Sequence, residues 1–133
     1  MSQDNLARLR ALADAFSRLD FDAAIQGCAE DIELRPAVEG IGVDAFYQGR
    51  DGLMVFWEQI SEAWEAVTVE LRETIEAPGQ RVVAIERWHV RGRDSLELDF
   101  ELVDVYTFRD GLIGRIDGFL DRAEALEAVG LPQ

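Results

Sequence analysis

Residues 4–18 place Leu6, Leu9, Ala13 and Phe16 at three- and four-residue intervals, with Arg and Asp between them. That spacing predicts a helix with one buried face. Asp20 is a cap for a second, short helix carrying Ala23, Ala24 and Cys28. Ile32-Glu33-Leu34 alternates like a short strand, and Pro36 stops it. Residues 36–49 contain three glycines and no steady period. They read as a loop long enough for functional duty. The clearest helix covers about 51–65, where Leu53, Phe56, Trp57, Ile60 and Trp64 form one continuous stripe. The period then changes to two. Strands are predicted near 67–77, 80–92, 96–109 and 112–120, separated by Pro78-Gly79, Gly92-Arg93-Asp94 and Asp110-Gly111. Those separators carry hairpin turn chemistry, so the strands should be antiparallel neighbours. Asp121-Arg-Ala-Glu124 is a capping box that opens a last helix through Ala125, Leu126 and Val129. Gly130 closes that helix in a left-handed conformation.

Helices first, then a curled antiparallel meander, then a terminal helix make an α+β chain with helices packed on a sheet. A strongly curved sheet wrapped by N-terminal helices is a cone, and a cone has a hollow end. Residues 1–133 are expected to form a single domain, since the length suits one and is short for two.

Composition narrows the partners. Hydrophobic residues make up 48% of the chain, enough for a core, so disorder is not expected despite 30% charged residues. Acidic residues number 27 against 13 basic ones, every one of them Arg, for a net charge of −14. Such a surface repels phosphate backbones and anionic headgroups, which argues against nucleic-acid and membrane partners. No apolar run is long enough to span a bilayer. The start of the chain lacks the basic flank and apolar core of a secretory signal. One cysteine excludes an internal disulfide, and the default location is the cytoplasm.

Strand parity locates candidate chemistry. On 96–109 one face carries Leu98, Phe100, Leu102, Asp104, Tyr106 and Phe108. The other carries Glu97, Asp99, Glu101, Val103, Val105 and Thr107. The first set should face inward, which puts the Asp104 carboxyl on an otherwise apolar face. Burial raises the pKa of such a group, and a nearby cation opposes that. On the preceding strand Val83, Ile85, Arg87 and His89 share one face, while Val82, Ala84, Glu86, Trp88 and Val90 share the other. If the first set is inward, Arg87 and His89 join Asp104 in the cavity. His89 is then the candidate acid or base, because imidazole titrates near neutrality. The alternative is an Arg87–Asp104 ion pair that satisfies two buried groups, with His89 a bystander.

Trp57 is either core or a wall over an apolar ligand, and Tyr47, in the glycine-containing loop, is placed to reach the cavity mouth. Cys28 reads as buried filler. The chain has no phosphate-binding loop, dinucleotide fingerprint or zinc-protease motif. One histidine and one cysteine leave carboxylates as the remaining metal ligands, a poor zinc site. Neither a metal nor a cofactor is expected.

The segments Tyr47-Gln-Gly-Arg-Asp-Gly-Leu53, Val105-Tyr-Thr-Phe-Arg-Asp-Gly111 and Asp121-Arg-Ala-Glu-Ala-Leu-Glu-Ala-Val-Gly-Leu131 resemble a known family. It is the SnoaL-like branch of the nuclear transport factor two/ketosteroid isomerase superfamily. The resemblance covers nearly the whole chain and implies the cone-shaped fold. One such scaffold hosts cyclases, isomerases, hydrolases and non-catalytic binders, so it implies less about chemistry. Asp104 occupies what resembles the position of the isomerase's oxyanion-hole aspartate, a carboxyl kept neutral by an apolar site. Leu12 stands near the place of that enzyme's first-helix tyrosine, and Arg35-Pro36 where its base aspartate precedes a proline. Arg87-Trp-His89 is similar to the Arg-x-Asp of limonene-epoxide hydrolase, with Gly118 in place of its last-strand carboxylate. SnoaL-type cyclases use an acid and a histidine without a cofactor.

Two function classes follow. One is a cofactor-independent acid–base enzyme of isomerase, cyclase or hydrolase type, acting on an apolar carbonyl- or epoxide-bearing compound. Its catalytic residues would be His89, Asp104 and Arg87, and its substrate-binding residues Trp57, Tyr106, Tyr47 and Phe100. The other is a non-catalytic binding or scaffold domain. A homodimer is expected through the outer sheet face, read as Val82, Ala84, Trp88, Val90, Val103 and Val105. The resemblance points the same way.

Overall fold

The predicted periodicities become ten elements in the computed structural model, which describes residues 3–37 and 43–132. Helices α1 (Gln3–Ser17) and α2 (Phe21–Ile25) precede strand β1 (Cys28–Arg35). Strand β2 (Tyr47–Gln48) leads directly into α3 (Gly49–Ala63). Strands β3 (Ala66–Ala77), β4 (Arg81–Arg91), β5 (Glu97–Arg109) and β6 (Leu112–Phe119) follow, and α4 (Arg122–Ala128) ends the series. Within the expected loop at 36–49, residues 38–42 lie outside the described residues.

The sheet order is β2-β1-β6-β5-β4-β3. Every pairing is antiparallel except β1 with β6, which run parallel. Extra residues at Arg72 and Gly114 shift the ladders of β3–β4 and β5–β6. Such bulges sharpen strand twist and bend, which curves the sheet into a cone that is not closed. The turn at Asp110-Gly111 has positive φ at both residues, 54° and 78°, as a tight hairpin requires. Cys28 opens β1 instead of ending a helix, although it is fully buried as expected.

Two apolar layers flank the sheet. Inside the cone, α1 and α3 pack Leu9, Leu12, Phe16, Leu53 and Trp57 over Val82, Ala84, Val90 and Tyr106. Outside it, Ala125 and Leu126 of α4 and Val129 at its C-terminal cap cover Val83, Ile85, Val103 and Val105. Ser17 ties α1 to the sheet edge by accepting from the Val69 N–H at 2.9 Å. Arg50 anchors α3 by donating to the Cys28 carbonyl at 2.8 and 3.1 Å. The Asp121 carboxylate caps α4 by accepting from the Ala123 N–H at 2.6 Å. Gly130 and Leu131 then return N–H groups to Glu127 and Leu126, closing the helix at a left-handed glycine.

This arrangement corrects the expected outer strip. Val82, Ala84 and Val90 are buried inside, and Trp88 packs against that same inner cluster. Val103 and Val105 do face outward, but the chain's own α4 covers them.

Candidate active site

The β4–β5 hairpin decides which polar groups meet. Gly92 pairs with Leu96 through N–H to carbonyl at 2.8 Å, leaving the three residues 93–95 as its loop. Ser95 takes the left-handed conformation at φ 71° that closes such a loop. A three-residue loop sets even-numbered residues opposite even-numbered ones. Ala84 therefore faces Asp104, Glu86 faces Leu102, Trp88 faces Phe100, and His89 faces Asp99. Directly opposed residues share a face of the sheet. The inward set on β5 is the expected one. On β4 it is the opposite set.

His89 and Arg87 consequently lie on the outer face, which corrects their expected place in the cavity. The His89 Nδ1 sits 2.7 Å from an Asp99 oxygen, and Nε2 lies 3.5 Å from Glu97. The hydrogen bond with Asp99 raises the His89 pKa above its usual value, with the charges of Asp99 and Glu97 adding to it. Arg87 stands between Glu70 and Glu101 on neighbouring strands and is exposed. No Arg87–Asp104 pair can form, because the two residues point to opposite sides of the sheet.

Inside the cone is a cavity of about 450 Å³ with predominantly apolar walls. Leu12 and Phe16 of α1, Trp57 and Ile60 of α3, and Trp88 and Phe100 of the sheet supply much of that lining. Trp88 stacks on Phe100 with centroids 6.2 Å apart and meets the edge of Phe16 at 5.5 Å. Trp57 stacks on Phe21 at 5.3 Å. Of the residues expected to bind substrate, Trp57, Phe100 and Tyr106 line the cavity. Tyr47 does not. It is buried, accepts from the Asp44 N–H at 2.7 Å, donates to Gln59, and packs its ring against Phe56. Its place in β2, antiparallel to β1, keeps it among the helices instead of at the mouth.

The polar end of the cavity holds a residue that strand parity had sent outside. Glu86 is 2% exposed and is the one buried charged residue among those described. Its Oε2 accepts from the Tyr106 hydroxyl at 2.6 Å, and its Oε1 accepts from the Trp88 indole N–H at 3.2 Å. Using both oxygens as acceptors is the pattern of a carboxylate. Asp104 adjoins it and lines the cavity. Asp104 is half-buried because it borders empty space, yet enclosure by protein dominates its titration. That burial pushes its pKa well above the usual carboxylate range. The neighbouring Glu86 carboxyl and the charge of Asp117 push the same way, while the nearby Tyr106 hydroxyl opposes them. Burial, followed by the charges of Glu86 and Asp104, also raises Tyr106. The neighbouring carboxyl and the apolar shell both disfavour the ionised form of Asp104, so its proton is held more tightly than in an ordinary carboxyl.

The same parity criterion could have found Glu86. Its set has one charge among four apolar residues, whereas the set considered as inward has both Arg87 and His89. Opposite Asp104 on β6 stands Gly118, where the backbone of Ala37 crosses so closely that a Cβ would lie 2.4 Å from the Ala37 nitrogen. Only glycine fits there, and the crossing segment roofs this end of the cavity. Burial drives the Cys28 thiol up to about 12, so it stays protonated and inert. Among the described residues no cluster of three or more candidate metal ligands occurs, and no helix is long and apolar enough to cross a membrane.

The geometry matches several solved structures. TerC co-crystallised with polyporic acid superposes with a TM-score of 0.80 at 23% identity, covering 96% of this chain and 98% of that one. A protein from Burkholderia pseudomallei gives 0.80 at 22%, covering 98% and 99%. Rv0760c from Mycobacterium tuberculosis, in complex with estradiol-17beta-hemisuccinate, gives 0.78 at 17%, covering 91% and 96%. No curated protein matches the chain. Identities this low establish a shared fold. The sequence itself carries the family, since the SnoaL-like domain matches residues 9–116. The cone and the hollow between helices and sheet are therefore those of the SnoaL-like domain family, to which this chain belongs.

Proposed function

We propose that the chain binds an apolar small molecule in this cavity and acts on it as a cofactor-independent acid–base enzyme. The observation that carries the reading is the Glu86–Asp104 carboxyl pair in the wall of an apolar, ligand-sized hollow. A carbonyl or epoxide oxygen placed there would meet Asp104 as a hydrogen-bond donor. Glu86 would take a proton from the carbon beside a carbonyl, and its return at another carbon would complete an isomerisation. With an epoxide, Asp104 would protonate the ring oxygen while Glu86 activates water. Tyr106 and Trp88 hold Glu86 in place, and Trp57 and Phe100 supply apolar walls. His89 and Arg87 take no part. Relatives of the same fold, recorded with polyporic acid and with a steroid ester, support a flat polycyclic ligand.

A second reading is binding without turnover. It is favoured by the mutual satisfaction of Glu86, Tyr106 and Trp88, with no buried side-chain polar atom left unpartnered among the described residues. Proton exchange separates the two. A polycyclic ketone incubated with the protein in heavy water should lose its α-protons faster than in buffer. Glu86→Gln and Asp104→Ala should each reduce that acceleration by about a hundredfold or more, and His89→Ala should leave it intact. Binding with no accelerated exchange would establish the non-catalytic reading.

Self-association through the outer sheet is proposed as well, on a surface different from the apolar strip first expected. Beyond the edge of α4 that surface presents Thr68, Glu70, Arg87, His89, Asp99 and Glu101. A twofold axis would set Arg87 and His89 of one copy against acidic residues of the other. Sedimentation velocity should show a dimer that weakens as salt rises. A monomer at low salt and high micromolar concentration would contradict this.

A further inference from the structure

Resting on the reading of the cavity as a small-molecule site, we propose that it also takes a lipophilic amine, bound as a cation against the Glu86 and Asp104 carboxyl groups of a lining that includes no Arg, Lys or His. The argument begins with what the lining lacks. Among the described residues, the ionisable side chains on the cavity's inner face are Glu86, Asp104 and the Tyr106 phenol; Glu101 borders the cavity but shares the outer face with Arg87, and neither Arg nor His lines it. The neighbours that bear on the pair from other strands repeat the pattern. Asp117 of β6 acts on Asp104, and the neutral Cys28 thiol of β1 lies near Tyr106. The cations nearest that surround already have partners: Arg115 pairs with Asp117 at 2.7 Å, and Arg50, which with Arg8 acts on Cys28, donates to the Cys28 carbonyl; none of the three lines the cavity.

A buried carboxyl pair without a counter-cation has two ways to limit its charge. It can hold a proton, or it can hold an organic cation small enough to enter. An ammonium group would donate to both carboxylates, and the proton of Asp104 would leave to solvent. One positive charge replaces another, so the charge of the filled site equals that of the empty one. The remainder of the ligand would lie against Trp57, Trp88 and Phe100, whose aromatic surfaces suit both hydrocarbon and a nearby cation. The chain's net charge of −14 draws cations toward the protein and repels anionic analogues.

This exchange gives amines a pH dependence opposite to that of neutral ligands. Below the raised pKa of Asp104, amine affinity should grow about tenfold per pH unit, because each amine bound releases one proton. A neutral ketone needs the proton in place, so its affinity is flat over that range and falls above it.

Three adamantane derivatives share one hydrocarbon cage and test the idea by calorimetry at neutral pH: 1-adamantylamine, 2-adamantanone and adamantane-1-carboxylate. Each is titrated in phosphate and in Tris, whose different ionisation heats count the protons exchanged. The amine should release about one proton and bind at least about tenfold tighter than the ketone, and the carboxylate should fail to compete. Asp104→Asn should abolish the proton release. If that variant does not fold, Glu86→Gln replaces it and should reduce the proton release, because the Glu86 charge that helps Asp104 hold its proton is gone while burial remains. Should both misfold, the two-buffer comparison on the wild-type protein decides alone. Amine binding without proton release, or no tighter than the ketone, overturns the proposal while leaving the small-molecule reading standing. If neither amine nor ketone binds, both fall together.

Discussion

Replacing Trp57 by alanine should destabilise the protein by about 3–5 kcal/mol and abolish ligand retention. Trp57 is 3% exposed and lies at the junction of the three N-terminal helices. Its ring stacks on Phe21 of α2 at 5.3 Å and meets Phe16 of α1 edge-on at 6.0 Å. Truncation removes those contacts and merges the vacated volume with the existing cavity, so the surroundings cannot collapse to fill it. Trp57→Phe should cost less than half as much, because one ring preserves most of the packing. Urea titrations of both variants check the order. Equal losses, or a loss under about 1 kcal/mol for alanine, would mean that the wall is not built around this side chain.

Asp104→Asn should make the protein more stable than the wild type above neutrality and close to it in acid. The folded pKa of Asp104 is raised by burial, then by the charge of Glu86. From about pH 4 upward the unfolded chain gives up a proton that the folded chain still binds. Stability is therefore complete below the ordinary carboxylate range and declines as pH rises toward the folded value. Each unit of separation is worth about 1.4 kcal/mol. Asparagine has no proton to surrender and can still donate to Glu86, so its curve should be flatter. Denaturant midpoints at pH 5 and pH 8 should diverge by at least about 1 kcal/mol between the two proteins. Parallel curves would show that Asp104 ionises as an ordinary carboxylate.

Much of this fold is written in short-range pattern. The stripe from Leu53 to Trp64 marks α3 to within two residues, and the glycine-containing turns mark every hairpin of the β3–β6 meander. Parity on β5 is equally legible, because three acids stand on one face and a single acid among apolar residues on the other. What failed was parity on β4, where α4 covers the outer face and makes both sides apolar near Val82 and Val83. Periodicity alone is silent for a strand buried on both sides. The hairpin loop held the missing information. Its length fixes which residues of β4 share a face with Asp104, and it selects Glu86 over Arg87 and His89. The parallel contact between β1 and β6 left no local trace, since it joins segments some eighty residues apart.

Asp104, singled out by strand parity and by the resemblance to ketosteroid isomerase, is among the residues that line the cavity. That enzyme's tyrosine and base have no counterparts at Leu12 and Arg35-Pro36. A different acid, Glu86, comes to the same pocket from the neighbouring strand.

The most direct test is to follow the side-chain carboxyl carbon of Asp104 by carbon-13 NMR through a pH titration of the unliganded protein. The account predicts an inflection well above the usual carboxylate range, moving down in Glu86→Gln as the neighbouring charge is removed. An inflection at about pH 4 or below, unchanged by that substitution, would contradict it.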